Sequence, residues 1–328
     1  MSKFTPLLVL LVLVLAVMIS ARGGQIMYAI QSTNSSFSTV NITSDSPIVS
    51  SVLCTDDYSA GDAQVDLLGG TTKMVLCNAT ITDNNGGTDF NSTVPKGRFF
   101  GYSNKTVNSC TASSGSSNVD CYVNNTCSWL SPVSSISQYV ECRFTVWFNA
   151  MNTTGNATSI WYGHINVTDL AGNIAGGNDS IEMADLLAVG VDGTMSFGSK
   201  VAGTNDSYVG NGGCGASCKD NVTNYGNIRF DILINGSSMA CVGASGGTIN
   251  VGYLHVNLTD AANYTQSYAL TSTSSDSTGK FSDFDLMQSL TAGGTPVAPG
   301  RPTWWGIGIP YGVNGNCQST IWFTAIVG

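Results

Sequence analysis

The sequence predicts an all-β protein of two antiparallel β-sandwich domains, an Ig-like sandwich followed by a second, jelly-roll-like sandwich. Three observations support this fold class. Several short segments alternate apolar and polar residues, turns rich in Gly, Asn, Ser and Asp separate them, and no stretch of the chain has a helical period. Hydrophobic residues make up 42 % of the chain and aromatic residues 9 %, which is enough to build a core and argues against a disordered chain.

The first element is an apolar leader at residues 1–21. Residues 7–19 carry no charge, follow Lys3 and precede Ala21, which is the layout of a secretory signal peptide. The alternative is an uncleaved anchor, because a run of about 18 apolar residues just spans a bilayer. We expect cleavage and therefore an extracellular or cell-surface protein, with membrane contact only through an uncleaved leader.

A polar lead-in at residues 22–45 follows, with an apolar, strand-like segment at residues 26–30 in its middle. An unpaired apolar strand is an aggregation hazard, so we expect it to be covered. It pairs either within its own subunit or with the sheet of a neighbouring subunit, which would build a head-to-tail fibre.

Strand patterns then divide into domains at 46–185 and 186–328, with the boundary in the region 179–187 after a Gly-rich turn. The cleanest alternation begins at Trp161 and places Gly163, Ile165 and Val167 on the same face. Similar patterns occupy residues 143–148, 228–234 and 253–258. The C-terminal run 321–327 is apolar on both faces, which predicts a central, buried strand.

Several segments carry a family resemblance. Residues 161–173, WYGHINVTDLAGN, resemble the penultimate strand and turn of bacterial and archaeal Ig-like surface modules, and residues 75–83 fit an early core strand of that module. Segments of the second domain resemble sandwich domains of archaeal surface proteins and, more distantly, the camelysin-like class that includes matrix-fibre subunits; they are residues 195–198, 201–204 and 224–227. The resemblance implies a surface protein. Gly163 departs from it, because a core Cys of the cross-sheet disulfide would be expected within that strand.

Glycosylation sequons are numerous, and about six would arise by chance in a chain of this composition. The fifteen acceptors are Asn34, Asn41, Asn78, Asn91, Asn104, Asn124, Asn152, Asn156, Asn166, Asn178, Asn205, Asn221, Asn235, Asn257 and Asn263. Charged residues are only 10 % of the chain, so attached glycans would supply the missing hydration. The net charge of −9 argues against a nucleic-acid partner.

Ten cysteines in an exported chain predict disulfides. They are Cys54, Cys77, Cys110, Cys121, Cys127, Cys142, Cys214, Cys218, Cys241 and Cys317. A zinc site at Cys214 and Cys218 is disfavoured, because no second ligand pair has suitable spacing. We expect Cys241 to pair with Cys317 from strand-flanking turns, which would close most of the second domain.

Catalytic residue types are scarce, and we predict no enzyme. The only Glu residues are Glu141 and Glu182, and the only His residues, His164 and His255, each precede a sequon on the polar face of a strand, where a solvated role is expected. An Asp-based secreted hydrolase is the remaining catalytic alternative.

Calcium is the cofactor that the sequence favours. Asp83, Asn85 and Asp89 place oxygen side chains around a Gly turn, as a hard-cation loop requires. A second cluster could fold against this loop: Asp56, Asp57, Asp62 and Asp66. The alternative is a polar hairpin whose side chains bond their own backbone.

The resulting prediction is a non-catalytic structural or adhesive protein, either an envelope component or a filament subunit, whose partners are copies of itself or other surface components. A carbohydrate-binding module is the first alternative. It rests on Trp304 and Trp305, since aromatic faces stack on sugar rings, although the alternation of Trp305 with Ile307 predicts that one Trp belongs to the core.

Overall fold

The computed structural model describes residues 40, 43–56, 64–91, 93–101, 109–110, 119–153, 160–206, 219–243, 246–259, 264–273, 281–290 and 295–328. The predicted leader and the segment 26–30 lie outside these residues. The chain separates into two compact units, Met1–Thr43 and Ser44–Gly328, and the fold below is that of the second unit. Within the described residues, no helix is both long and apolar enough to cross a membrane.

The all-β prediction is confirmed. The described residues contain twenty strands, one four-residue helix, α1 (Thr88–Asn91), and two short 3-10 helices, Val251–Tyr253 and Tyr264–Gln266. Almost all strand pairs are antiparallel, as expected for short strands joined by tight turns.

The N-terminal half (residues 44–185) contains two facing sheets. The first has the order β1-β3-β7-β6 and consists of β1 (Ile48–Thr55), β3 (Thr72–Thr82), β7 (Ser137–Trp147) and β6 (Ser128–Ser134). The second has the order β2-β9-β8-β4-β5 and consists of β2 (Gln64–Val65), β9 (Ile174–Met183), β8 (Trp161–Thr168), β4 (Lys96–Gly101) and β5 (Cys121–Asn124). In β8 the predicted face from Trp161 to Val167 is buried and the opposite face is half-buried.

An aromatic cluster fills this sandwich. The ring of Phe99 on β4 lies 4.9 Å from that of Trp161 on β8 and 5.7 Å from that of Phe144 on β7, so one side chain links both sheets. All three residues are at most 2 % exposed. Offset aromatic pairs add to the free energy that burial alone supplies.

The described part of the C-terminal half (residues 186–328) contains three sheets. The largest has the order β10-β12-β18-β16-β17 and consists of β10 (Val189–Val191), β12 (Lys219–Asn224), β18 (Gly300–Gly308), β16 (Leu254–Asn257) and β17 (Tyr268–Ala269), with β11 (Asn205–Asp206) also on β18. A two-stranded sheet pairs β13 (Phe230–Gly236) with β20 (Ile321–Val327). The third has the order β15-β14-β19 and consists of β15 (Thr248–Ile249), β14 (Met239–Val242) and β19 (Asn316–Gln318).

Each half has its own core, and Asn227 joins them. Its amide nitrogen donates to the carbonyl oxygens of Ala150 and Ala184 at 3.0 and 2.8 Å, and its Oδ1 accepts from the amide of Leu186 at 2.6 Å. Asn227 is 1 % exposed, and Phe148 packs edge-on against Tyr225 beside it. Because the two halves pack together within one compact unit, the division at residue 186 stays a prediction.

Four disulfides lie within the described residues: Cys54–Cys77, Cys110–Cys121, Cys127–Cys142 and Cys241–Cys317. The predicted Cys241–Cys317 pairing is confirmed, although both residues lie opposite each other in β14 and β19 rather than in turns. Disulfides of this kind form in oxidising compartments such as the extracellular space. Cys214 and Cys218 lie outside the described residues.

The departure at Gly163 has a steric reason. The disulfide Cys54–Cys77 joins neighbouring strands of the first sheet, and its sulfur atoms press against the second sheet at Gly163. A Cβ at Gly163 would overlap Sγ of Cys54 and lie 2.5 Å from Sγ of Cys77. Gly97 on β4 is placed in the same way, because its Cβ would lie 2.8 Å from Sγ of Cys142. Glycine in the second sheet therefore makes room for disulfides in the first.

The prediction for the C-terminal strand is wrong. β20 is not central: among the described strands it pairs only with β13, and most of its residues are half-buried or exposed, with Trp322 47 % exposed. Apolar residues on both faces of a strand favour burial of both faces. They do not show that both backbone edges of the strand pair with strands of the same subunit.

Candidate functional sites: an acidic cluster and an open groove

One end of the N-terminal sandwich brings three carboxylates together. Asp83 follows β3, Asp89 lies in α1, and Asp169 follows β8. Their carboxylate oxygens lie within 4.8 Å of one another. These three residues are called the acidic cluster. The cluster brings together the turn after β3, which belongs to the first sheet, and the turn after β8, which belongs to the second.

Asp83 is fixed by the turn that it begins. Its amide donates to the carbonyl oxygen of Ile136, and its Oδ1 accepts from the amide of Asn85 at 2.8 Å. Gly86, at φ 103°, allows the chain to reverse and donate back to the Asp83 carbonyl. Asp83 is 1 % exposed, and its second oxygen, Oδ2, is buried without a hydrogen-bond donor among the described residues.

Asp169 closes the β8–β9 turn. Its Oδ1 accepts from the amide of Asn173 and its Oδ2 from the Asn173 side chain, both at 2.7 Å. The amide of Leu170 donates to the Asp89 carbonyl at 2.9 Å, which ties this turn to α1. The Asp-x-x-Gly-Asn pattern is therefore a structural turn that also presents a carboxylate to the cluster.

The residues at which the lead-in reaches the sandwich complete the site. The hydroxyl of Ser44 lies 3.3 Å from Oδ2 of Asp89, 3.3 Å from Oδ2 of Asp169 and 3.5 Å from Oδ1 of Asn85. It is also 3.4 Å from the carbonyl oxygen of Asp45, whose amide donates to Oδ1 of Asn85 at 2.7 Å. One hydroxyl proton cannot serve four acceptors, and each distance is long for an O–H···O bond.

Asp83 and Asp169 differ in the direction in which their pKa values are shifted. Burial raises the pKa of Asp83, and the nearby charges of Asp89 and Asp169 add to that effect, whereas the hydrogen bond from the Asn85 amide opposes it. Burial also acts to raise the pKa of Asp169, but the hydrogen bonds from Asn173 outweigh it and the net pKa is lowered. A cation at this position would relieve the crowding of like charge.

Of the predicted ligands, Asp83 and Asp89 lie in the cluster and Asn85 lies at its rim. Sequence reasoning missed Asp169, which is remote along the chain, and Ser44. Of the second predicted cluster, Asp56 and Asp66 do not join the first: Asp56 lies at the opposite end of β1, where it pairs with Lys73 at 3.1 Å and accepts from the amide of Asp66. Asp57 and Asp62 lie outside the described residues.

An open groove of about 810 Å³ lies in the C-terminal half. It runs along β20 and β19 and is bounded by the loop after β10; its lining includes Val191, Phe197, Ile309, Val313, Ile321 and Phe323. β10 and β20 are edge strands of different sheets that approach each other here without pairing. The groove therefore lies between two of the three sheets of this half, where β10 and β20 do not pair.

The core of this half is incompletely covered along the groove. Phe197, Ile309 and Phe323 pack against buried core residues but are themselves only partly buried. Asp220 lies in the groove lining and holds the loop through a hydrogen bond from the Asp192 amide at 2.9 Å, and burial raises the pKa of Asp220. The groove thus combines a strand edge that has no partner among the described strands with apolar side chains that further contacts could bury.

The sequence predicts that both histidines are solvated, but both are half-buried. His164 is half-buried, and burial together with the charge of Arg98 lowers its pKa. His255 stacks on Tyr264 with ring centroids 3.8 Å apart, and its Nδ1 lies 2.9 Å from the Tyr264 carbonyl oxygen. Both residues pack against protein, which leaves the prediction of no catalytic role untested.

The tandem tryptophans divide as predicted. Trp305 is fully buried and donates from Nε1 to the hydroxyl of Thr303 at 2.9 Å. Trp304 is half-buried, and the ammonium group of Lys219 lies 5.5 Å from its ring centroid. The lysine occupies one face of the ring, so at most the other face is open to a sugar.

The described sequon asparagines lie mostly on strands rather than on loops. Asn178 and Asn205 are exposed, while Asn257 is only 9 % exposed and accepts from the amide of Thr259. The groove lining contains none of the fifteen acceptors. The side chains of Asn34, Asn41, Asn91, Asn104, Asn156 and Asn263 lie outside the described residues, and glycosylation stays a prediction.

Comparison with protein-family models and with curated proteins finds no match.

Proposed function

We propose that this chain is a secreted, glycosylated structural subunit that assembles by strand addition, with no catalytic role. The groove beside β20 receives the apolar segment 26–30 of a second copy. The observation that carries the proposal is the edge of β20 that has no partner among the described strands and lies beside partly buried residues of the core.

Strand addition satisfies two needs of the groove. An incoming strand pairs with the free backbone groups of β20, which supplies affinity, and alternate side chains enter the groove, which supplies specificity. As an added strand, the segment 26–30 would place Ile26, Tyr28 and Ile30 on one face, which would match the apolar lining. A segment and a groove at different places on each copy give a head-to-tail contact, which generates fibres when the ring does not close.

The distribution of sequons supports the same surface. Acceptors lie on strands of both halves, including Asn166 on β8 and Asn221 on β12, whereas β20 and the groove lining carry none. Glycans at the acceptors would shield those faces from association and leave the groove accessible. The four disulfides suit an assembly outside the cell.

The test compares the secreted chain with a variant that begins at Ser44. We expect the secreted chain to form fibres visible by electron microscopy, and the shortened variant to remain folded and monomeric by circular dichroism and size-exclusion chromatography. Fibres that persist in the shortened variant, or an unfolded shortened variant, would contradict the proposal.

A synthetic peptide of residues 24–32 sharpens the experiment. It should bind the shortened variant with one-to-one stoichiometry by calorimetry, and a control peptide with Ser at positions 26, 28 and 30 should not bind. A secreted chain that stays monomeric and does not bind the peptide would show that the segment fills its own groove, which excludes assembly by this route.

A further inference from the structure

We infer that the acidic cluster is a calcium site that fastens the base of the lead-in, Ser44 and Asp45, to the end of the N-terminal sandwich. This inference is independent of the proposed function, since it concerns a different half of the chain and a single copy. Two observations carry it: the convergence of oxygen atoms from three separated chain segments, and a buried carboxylate oxygen that has no donor.

The donor set fits calcium. Six oxygen-bearing groups converge: the carboxylates of Asp83, Asp89 and Asp169, the amide oxygen of Asn85, the hydroxyl of Ser44 and the carbonyl of Asp45. Calcium takes six to eight oxygen ligands at about 2.3–2.6 Å, so oxygens on opposite sides of the ion are about 4.6–5.2 Å apart. The separation of up to 4.8 Å among the carboxylate oxygens agrees with this.

Asp83 points to a ligand independently of the clustering. Its side chain is 1 % exposed, one oxygen is satisfied by the Asn85 amide, and Oδ2 has no donor among the described residues. A buried acceptor without a partner is unfavourable, and a buried carboxylate beside two others is more so. A divalent cation supplies both the missing contact and the missing positive charge.

Binding here orders the chain at one specific place. Ser44 and Asp45 come immediately before β1, whereas the carboxylates belong to turns after β3 and β8 and to α1. An ion shared by these groups holds the start of β1 against both sheets of the sandwich. Calcium should therefore protect the amides of residues 44–47 from exchange more than those of the C-terminal half.

The test uses the full secreted chain after chelation, titrated with calcium chloride. We expect one calcium ion per chain by calorimetry, a melting temperature higher by about 5 °C at saturating calcium, and slower hydrogen exchange at residues 44–47. Equal melting in chelator and in millimolar calcium, or an equal gain with magnesium, would overturn the assignment.

Substitution separates a ligand from a structural aspartate. Asp83→Asn keeps the acceptor for the Asn85 amide but removes a charge, so in chelator it should melt at or above the wild-type temperature and gain nothing from calcium. Asp89→Asn should likewise lose the gain, whereas Asp283→Asn, an exposed carboxylate in the C-terminal half, should retain it. Calcium gain that survives in both cluster variants would refute the site.

Discussion

The two halves of this molecule differ in how completely they close. In the N-terminal half, two disulfides of the first sheet face Gly163 and Gly97 of the second, and the large side chains between the sheets, such as Phe99 and Trp161, are fully buried. In the C-terminal half, the described disulfide, Cys241–Cys317, lies in the three-stranded sheet, and side chains that pack on the core, such as Phe323, are only partly buried along the groove. Both halves have edge strands, but in the C-terminal half the edge of β20 that has no partner among the described strands lies beside an open apolar groove.

The largest expected effect is a loss of stability in the C-terminal half when its Cys241–Cys317 disulfide is removed. Cys241→Ala combined with Cys317→Ala removes a bridge across 76 residues, which in the chain-entropy model lowers the free energy of unfolding by about 4 kcal/mol. Hydrogen exchange should quicken across the C-terminal half and little in the N-terminal half. Equal loss of protection in both halves would show that they unfold as one cooperative unit.

The next effect tests the closure of the N-terminal half. Gly163→Ala forces a Cβ into Cys54 and Cys77, which overpacks a buried core and should lower the free energy of unfolding by about 3 kcal/mol in urea titration. Gly101→Ala on the neighbouring strand is the control, because its Cβ would meet Trp161 at an ordinary 3.5 Å. Replacing Cys54 and Cys77 with Ala should shrink the Gly163→Ala effect; an unchanged effect would disprove the steric explanation.

The sequence predicted which face of a strand is buried better than it predicted which strands pair along their edges. Alternation in β8 gave its buried face correctly, because side-chain direction repeats every two residues in any strand. The same reasoning failed for β20, since the pattern of side chains carries no information about which backbone edge finds a partner. Edge pairing depends on the whole topology.

For a related reason, the sequence predicted only some residues of the acidic cluster and its surroundings. Asp83 and Asp89 belong to one local turn, which the sequence displays directly. Asp169 and Ser44 join them only because two sheets stack and their turns meet at one end. The signal that could have identified Asp169 was its position immediately after a strand, in a turn whose geometry aims the carboxylate inward.

The smallest expected effect is the contribution of His164, in the N-terminal half, to the pH dependence of the free energy of unfolding. Burial first, and the charge of Arg98 second, lower the pKa of His164 in the N-terminal half below its ordinary value near 6.5. The unfolded chain therefore binds more protons than the folded one as pH falls below that value, so the free energy of unfolding decreases towards acid pH. His164→Gln should flatten this dependence in urea titrations between about pH 7 and pH 5.

Arg98→Gln is the matched control, because it removes only the second cause and should raise the pKa of His164 partway towards its ordinary value. The chain has two histidines, so His255→Gln isolates the His164 ring signal for titration by nuclear magnetic resonance. A pKa at or above 6.5 in the folded protein, or one that Arg98→Gln leaves unmoved, would contradict this assignment. The pKa of His164 is lowered because the half-buried imidazolium cannot be fully hydrated. The positive charge of Arg98, which lies opposite His164 on the neighbouring strand β4, lowers it further.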